Sequence, residues 1–281
     1  MRGRRVQAVL LTLALGVLAI VWLAPIAWVV VTSVKLTADI VRLPPEWIPW
    51  PVTAEHYVEV LVSSSRTARI GRAFGNSLVI ALGAVAVVVV TAAMAAYPLA
   101  RMRFPGRDVV FIVLVGSLMI PNAVVLVPQY VLVQRLGWLS TYQGLIVPEA
   151  AMTFAFGVFL LRQFFVMMPG DLEEAARLDG ANAWQIFTRV LLPLSQPVLA
   201  ALAIFAFRSA WNDFLWPLIA VNKPDMFPLP VALALLRSAY SSESYGPIMA
   251  GAALSALPLL VVFVVANQRI VEGVRVSGLK G

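Results

Sequence analysis

Two stretches of this sequence carry side chains able to do more than fill space. The first lies inside the apolar run 197–220, where Arg208, Ser209, Asn212 and Asp213 interrupt a helix-length hydrophobic segment. On a helix Arg208 and Asn212 stand at i, i+4, and Ser209 and Asp213 form the adjacent row. A charge in mid-membrane costs at least ~2.5–3.5 kcal/mol on insertion scales, so Arg208 is expected to face the protein interior or water. With Trp211 and Phe214 alongside, the patch has the composition of a sugar-binding surface: planar polar groups for hydroxyls, aromatic faces for ring carbons. The same residues also suit a structural pairing of Arg208 and Asp213 with a neighbouring helix, or a polar edge at the outer membrane interface. Asn122, between Pro121 and Pro128, either lines a pathway or satisfies backbone freed by the prolines. The second stretch is Asp171–Pro193, DLEEAARLDGANAWQIFTRVLLP, a polar gap of quite different design.

Neither stretch is a catalytic constellation. The chain has no cysteine and a single histidine, His56, in a polar segment where solvation is expected. No G-x-x-x-x-G-K-[ST] loop is present to cradle nucleotide phosphates. The spans hold no carboxylate pair, Ser/His arrangement or metal-ligand cluster. The expectation is a protein that is not an enzyme and binds no metal or cofactor of its own. If ATP drives it, ATP and magnesium belong on a separate subunit.

The elements that position these residues are membrane helices. Of 281 residues, 61% are hydrophobic and only 12% charged, and mean hydropathy is +0.89. Soluble domains carry about a quarter charged residues. Roughly 20 residues per span plus loops makes room for about six. The expected architecture is one all-α transmembrane domain over 1–281, with spans near 9–31, 74–98, 109–132, 143–165, 197–220 and 246–268. The net charge of +7 reads as topology, not as a nucleic-acid footprint, because the arginines are scattered through the loops between apolar runs. Arg101-Met102-Arg103-Phe104-Pro105-Gly106-Arg107 is the clearest such loop, and with the N-terminal arginines it predicts both termini in the cytoplasm. The apolar run 6–34 is too long for the core of a cleaved signal peptide and is read as a retained first span. The segment 35–72, with Pro44-Pro45, Trp47 and Trp50, falls outside, either as a docking surface for an outer partner or as a plain connection.

Asp171–Pro193 is punctuated as helices. Pro169-Gly170 stops the preceding span, Asp171 suits an N-cap, and Glu174 three residues later completes a capping-box pattern. Leu172, Ala175 and Ala176 are spaced to share a narrow, small-residue face for docking. Gly180 suits a left-handed helix end and Asn182 a second start. Glu174-Ala175-Ala176, then Gly180, Val190 and Leu192-Pro193, reproduce EAA-x3-G-x9-[IV]-x-LP with every fixed position met. This stretch resembles the EAA loop of ABC importer permeases. Asn76-Ser77, the Arg101–Gly106 turn, the Trp211–Pro217 string and the tail Gly273–Gly281 are similar to the maltose-type, carbohydrate-uptake branch.

The resemblance implies a type I ABC importer permease fold in a prokaryotic cell membrane. It implies a second permease subunit forming a heterodimer, two ATPase subunits, and an extracytoplasmic binding protein that delivers a sugar or sugar-like solute, all in membrane lipid and without nucleic acid. The coupling loop is then 167–196, with Glu174, Ala175, Ala176, Asp179, Gly180, Leu192 and Pro193 docking the ATPase. Arg208, Ser209, Trp211, Asn212, Asp213 and Asn122 are the candidates for the substrate pathway. The alternatives are an ion-coupled secondary transporter or a non-transport membrane scaffold. The first needs paired broken helices in internal repeats, and the halves 1–140 and 141–281 show no matching pattern.

Overall fold

The computed structural model describes residues 2–62, 70–239 and 245–278, and every regular element among them is helical. The first part of the chain forms α1 (Arg2–Ser33), the short α2 (Thr37–Ile40) and α3 (Glu55–Val62). Then come α4 (Ile70–Arg101), α5 (Arg107–Ser117), α6 (Asn122–Arg135) and α7 (Tyr142–Met167). The polar gap folds as α8 (Asp171–Leu178), α9 (Ala183–Gln185), a π-turn over Ile186–Leu191 and α10 (Leu192–Leu194). The chain continues through α11 (Gln196–Asn212), α12 (Leu215–Ala220), α13 (Leu229–Ala239) and α14 (Tyr245–Gly278).

Val9–Ser33, Ile70–Arg101, Tyr142–Met167 and Tyr245–Val265 are long and apolar enough to cross a membrane, and two bent helix pairs bring the number to six if each is one span. One pair is α5 with α6, and the other is Ala183–Leu194 with Gln196–Asn212, which meet at 77° around Ser195. Where one helix is expected over 109–132, α5 and α6 meet at 101°. Pro121 drives Ile120 out of helical geometry and itself takes the extended N-cap position of α6. Where one helix is expected over 197–220, α11 ends at Asn212, Asp213 is extended, and α12 resumes at Leu215. An unbroken helix would press the Pro217 ring into the carbonyl of Asp213, four residues back.

The chain divides into two compact units. One comprises residues 1–72 and 232–257. In it α1 is exposed along most of Val9–Ile26, and burial sets in only at Thr32 and Ser33. The segment after it is tied down by the Ser33 and Tyr57 hydroxyls at 2.7 Å, by the Thr53 N–H donating to the Val34 carbonyl (2.8 Å), and by Trp47 packed edgewise on Trp28. His56 is not the solvated loop residue that the sequence suggests. It lies on the inner face of α3, buried, with Nε2 2.9 Å from the Lys35 carbonyl oxygen.

The other unit comprises residues 73–231 and 258–281. Its core joins α4 (Val88, Ala92, Ala96), α7 (Val158, Leu161, Phe165), the π-turn (Ile186, Phe187, Leu191) and α11 (Leu202, Ala206). Alanines at 92 and 96 recur at i, i+4, which gives α4 a flat face and lets α7 approach closely, the usual packing device between membrane helices. The polar gap therefore does not hang free of the spans. Its second half is part of the core.

Candidate functional site

The stretch 167–196 begins where Met168, forced extended by Pro169, ends α7. Asp171 is the first residue of α8 and not its cap. Gly170 holds the N-cap position and no side chain bonds there, so the capping box expected from Asp171 and Glu174 is absent. Asp171, Glu173 and Glu174 still place negative charge in the first turn, where the helix dipole favours it. The capping box forms one element later. The Asn182 side chain accepts from the Gln185 N–H, and the Gln185 side chain accepts from the Asn182 N–H, both at 2.9 Å. Between the two helices Gly180 has φ +83°, a left-handed conformation that glycine adopts without a Cβ penalty.

The faces of α8 are distributed differently from the expected Leu172–Ala175–Ala176 stripe. Ala176 is half-buried and packs on the core. The outward surface carries Leu172, Glu174, Ala175, Leu178 and Asp179, with Leu178 89% exposed, and Trp184 follows at 60%. A short helix thus presents small and apolar side chains to the outside. Leu192 and Pro193 belong instead to the short α10 that leads into α11.

Its inner side is held by charge, which the sequence did not reveal. Glu173 is buried, with Oε1 3.0 Å from Nε of Arg101 and Oε2 3.3 Å from a guanidinium nitrogen of Arg177. Neither Arg101 Nε nor Glu173 Oε1 is aligned for a hydrogen bond, so charge rather than a directed N–H···O bond holds that contact. A terminal nitrogen of Arg101 also donates to the Met168 carbonyl (2.5 Å), and Arg162 of α7 donates from Nε to the Leu99 carbonyl (3.1 Å). The Glu173-to-Arg177 spacing is a helix pair visible in sequence. The Arg101 contact, 72 positions away, is not.

The other candidates separate. Arg208, Ser209 and Asn212 are exposed on α11, and the Asn212 amide donates to the Arg208 carbonyl (2.9 Å). Among the described residues no ion pair joins Arg208 or Asp213 to a neighbouring helix, the structural alternative for this patch. Asp213 instead accepts from the Trp216 N–H in the first turn of α12. Trp211 does not frame the patch. It is 1% exposed, stacked on Phe207 at 5.6 Å and edgewise on Phe74 at 5.4 Å. Asn122 is exposed at the start of α6, and among the described residues no hydrogen bond or ion pair joins it to α11. Glu149 of α7, not singled out from the sequence, approaches Ser209 and Asp213.

A third polar cluster lies at the opposite end of α4. The Asn76 amide donates to the carbonyls of Asp225 (2.9 Å) and Phe227 (3.0 Å), and its oxygen accepts from the Tyr142 hydroxyl (2.8 Å). The Ser77 hydroxyl accepts from the Leu229 N–H (2.7 Å). Ser140 and Asn222 bond side chain to side chain beside it. Together these fasten the segment 222–229 to α4 and α7.

This arrangement has relatives of known description. A diacetylchitobiose uptake system permease protein of Streptomyces coelicolor is 34% identical over 261 residues, covering 91% of this chain and 83% of that protein. A trehalose/maltose transport system permease protein of Thermococcus litoralis is 31% identical over 281 residues, 100% of both chains. An arabinooligosaccharides transport system permease protein of Halalkalibacterium halodurans is 31% identical, covering 97% of this chain and 96% of that one. In fold, the chain is similar to one in the crystal structure of a bacterial ABC transporter involved in the import of the acidic polysaccharide alginate, with TM-score 0.80, 24% identity, and 95% and 98% of the two chains covered. Residues 88–276 match the family described as the binding-protein-dependent transport system inner membrane component. The chain therefore belongs to that family, as a multi-pass membrane permease subunit and not an enzyme.

Proposed function

We propose that this chain is the membrane subunit of an ATP-driven importer for a sugar or oligosaccharide. An extracytoplasmic binding protein delivers the solute, and separate ATPase subunits drive its passage. ATP and magnesium sit on those subunits, and a second permease chain completes the pathway. The observation that carries this reading is α8: an acid-fronted helix that exposes Leu172, Ala175 and Leu178 on its outward face, while its inward face (Glu173, Ala176) is fixed to the membrane helices. Exposed apolar surface of this kind marks a partner contact. Its place between α7 and α11 puts any partner in mechanical connection with two spans. The sugar class rests on the similar permeases, which belong to uptake or transport systems for diacetylchitobiose, trehalose/maltose and arabinooligosaccharides. A structure similar in fold, at TM-score 0.66, is an alginate transporter in complex with a pentasaccharide-bound periplasmic protein, which supports the binding-protein partner.

The test is co-expression with the cognate ATPase and second permease chains. Ala175→Arg, on the outward face, is expected to abolish co-purification of the ATPase while the chain still inserts in the membrane. Uptake by proteoliposomes of labelled trehalose, arabinotriose and diacetylchitobiose then assigns the solute. Undiminished ATPase capture by Ala175→Arg would remove α8 as the dock.

A further inference from the structure

The covalent connections of α8 are poor transmitters of force. Pro169-Gly170 precedes it, and Gly180, in left-handed geometry, follows it. A helix of eight residues between two such joints would swing when pulled unless side chains fixed it. The contacts that tie it to the end of α4 centre on Glu173. This carboxylate, 6% exposed, faces the Arg101 guanidinium, 15% exposed, across 3.0 Å. Arg101 is the last residue of α4, a 32-residue span, and the same guanidinium holds the Met168 carbonyl at the end of α7. Arg162 closes the ring by donating from α7 to Leu99 of α4 while its guanidinium lies 3.8 Å from the Phe111 ring centroid. Tyr97, one turn before Arg101, stacks on Phe187 of the π-turn at 5.1 Å.

We propose that Arg101 and Glu173 form a strut that makes α8 and the ends of α4 and α7 move as one body, so that displacement of α8 becomes displacement of the spans. Both are positioning residues, and the assignment rests on α8 being the ATPase dock proposed above. Arg101 does two things that a lysine cannot do together. It presents one nitrogen to the carboxylate and another to the Met168 carbonyl. Truncating one partner strands a buried charge, which is costly, whereas Glu174, on the exposed side of the same turn, has no such role.

The experiment uses the whole transporter in proteoliposomes. The chain is cysteine-free, so Leu218→Cys gives a single maleimide reporter on α12. In the parent its labelling rate is expected to change at least fivefold between the ATP-free and the ATP–vanadate-trapped states. Glu173→Gln and Arg101→Gln are expected to keep ATPase co-purification and ATP hydrolysis within twofold of the parent while the labelling change drops below twofold. Arg101→Lys, which keeps the charge but loses the second contact, is expected to recover part of that change. A full labelling response in Glu173→Gln and Arg101→Gln overturns the strut. Arg101→Lys behaving as Arg101→Gln overturns its electrostatic basis. If either Gln variant fails to assemble with the ATPase, the lysine variant alone decides the matter by the same criterion. A parent that captures no ATPase, or shows no labelling response, refutes the coupling reading itself and not the strut.

Discussion

Replacing Asn76 by alanine removes three hydrogen bonds at once and strands their partners. Asn76 is 5% exposed and serves the Asp225 and Phe227 carbonyls as donor and the Tyr142 hydroxyl as acceptor. A buried group left without its partner costs about 1–3 kcal/mol. Asp225 and Tyr142 are partly exposed and recover water, so the low end applies to them, and the total loss comes to about 2–4 kcal/mol. At 1.4 kcal/mol per factor of ten, local opening of the segment 222–229 should become about 30- to 700-fold more frequent. Val231, 0% exposed just past this segment, is close in volume to cysteine, and a Val231→Cys reporter in the cysteine-free chain reads the opening directly. Thiol labelling under conditions where opening and closing are fast relative to reaction should accelerate by that factor in Asn76→Ala. Tyr142→Phe, which removes one bond only, should give less than tenfold. Labelling within threefold of the parent in Asn76→Ala would show that the segment is held by packing alone and refute the clasp.

Two further substitutions test the geometry elsewhere. A Cβ added at Gly144 would overlap the Trp138 carbonyl oxygen, so Gly144→Ala must displace the backbone of the turn before α7. A cost of about 1–3 kcal/mol or more is expected, seen as a lower melting temperature in detergent. Asn182→Ala removes the acceptor for the Gln185 N–H. A loss of about 1 kcal/mol of local stability is expected, read as roughly fivefold faster amide exchange over 183–186, with the rest of the chain unchanged.

The comparison of sequence with structure divides along physical lines. Apolar runs report membrane helices because length and hydrophobicity are local properties, and α1, α4, α7 and α14 fall where such runs lie. Gly180 and Asn182 were legible for the same reason. A left-handed helix end and an N-cap depend on the residue itself and its nearest neighbours. The first cap was misread because Asp171 and Gly170 both suit the role, and the choice fell to the path of the chain leaving α7. The breaks at Pro121 and at Asp213–Phe214 were half legible: proline announces a disturbed helix, while the 101° angle between α5 and α6 depends on what packs around it.

By itself the sequence determined that this is a multi-helix membrane protein with an EAA-type loop and without a G-x-x-x-x-G-K-[ST] motif, since each of these is written in composition or in a contiguous motif. Tertiary structure alone decided which way side chains face. Ala176 turns inward and Leu178 outward, Trp211 is core and not pathway, and His56 is buried against a backbone carbonyl. It also decided that an arginine ending one span meets a glutamate 72 residues later. Helical periodicity places residues on a common face but leaves the rotation of that face undetermined, and pairings between distant elements are fixed only when the helices pack.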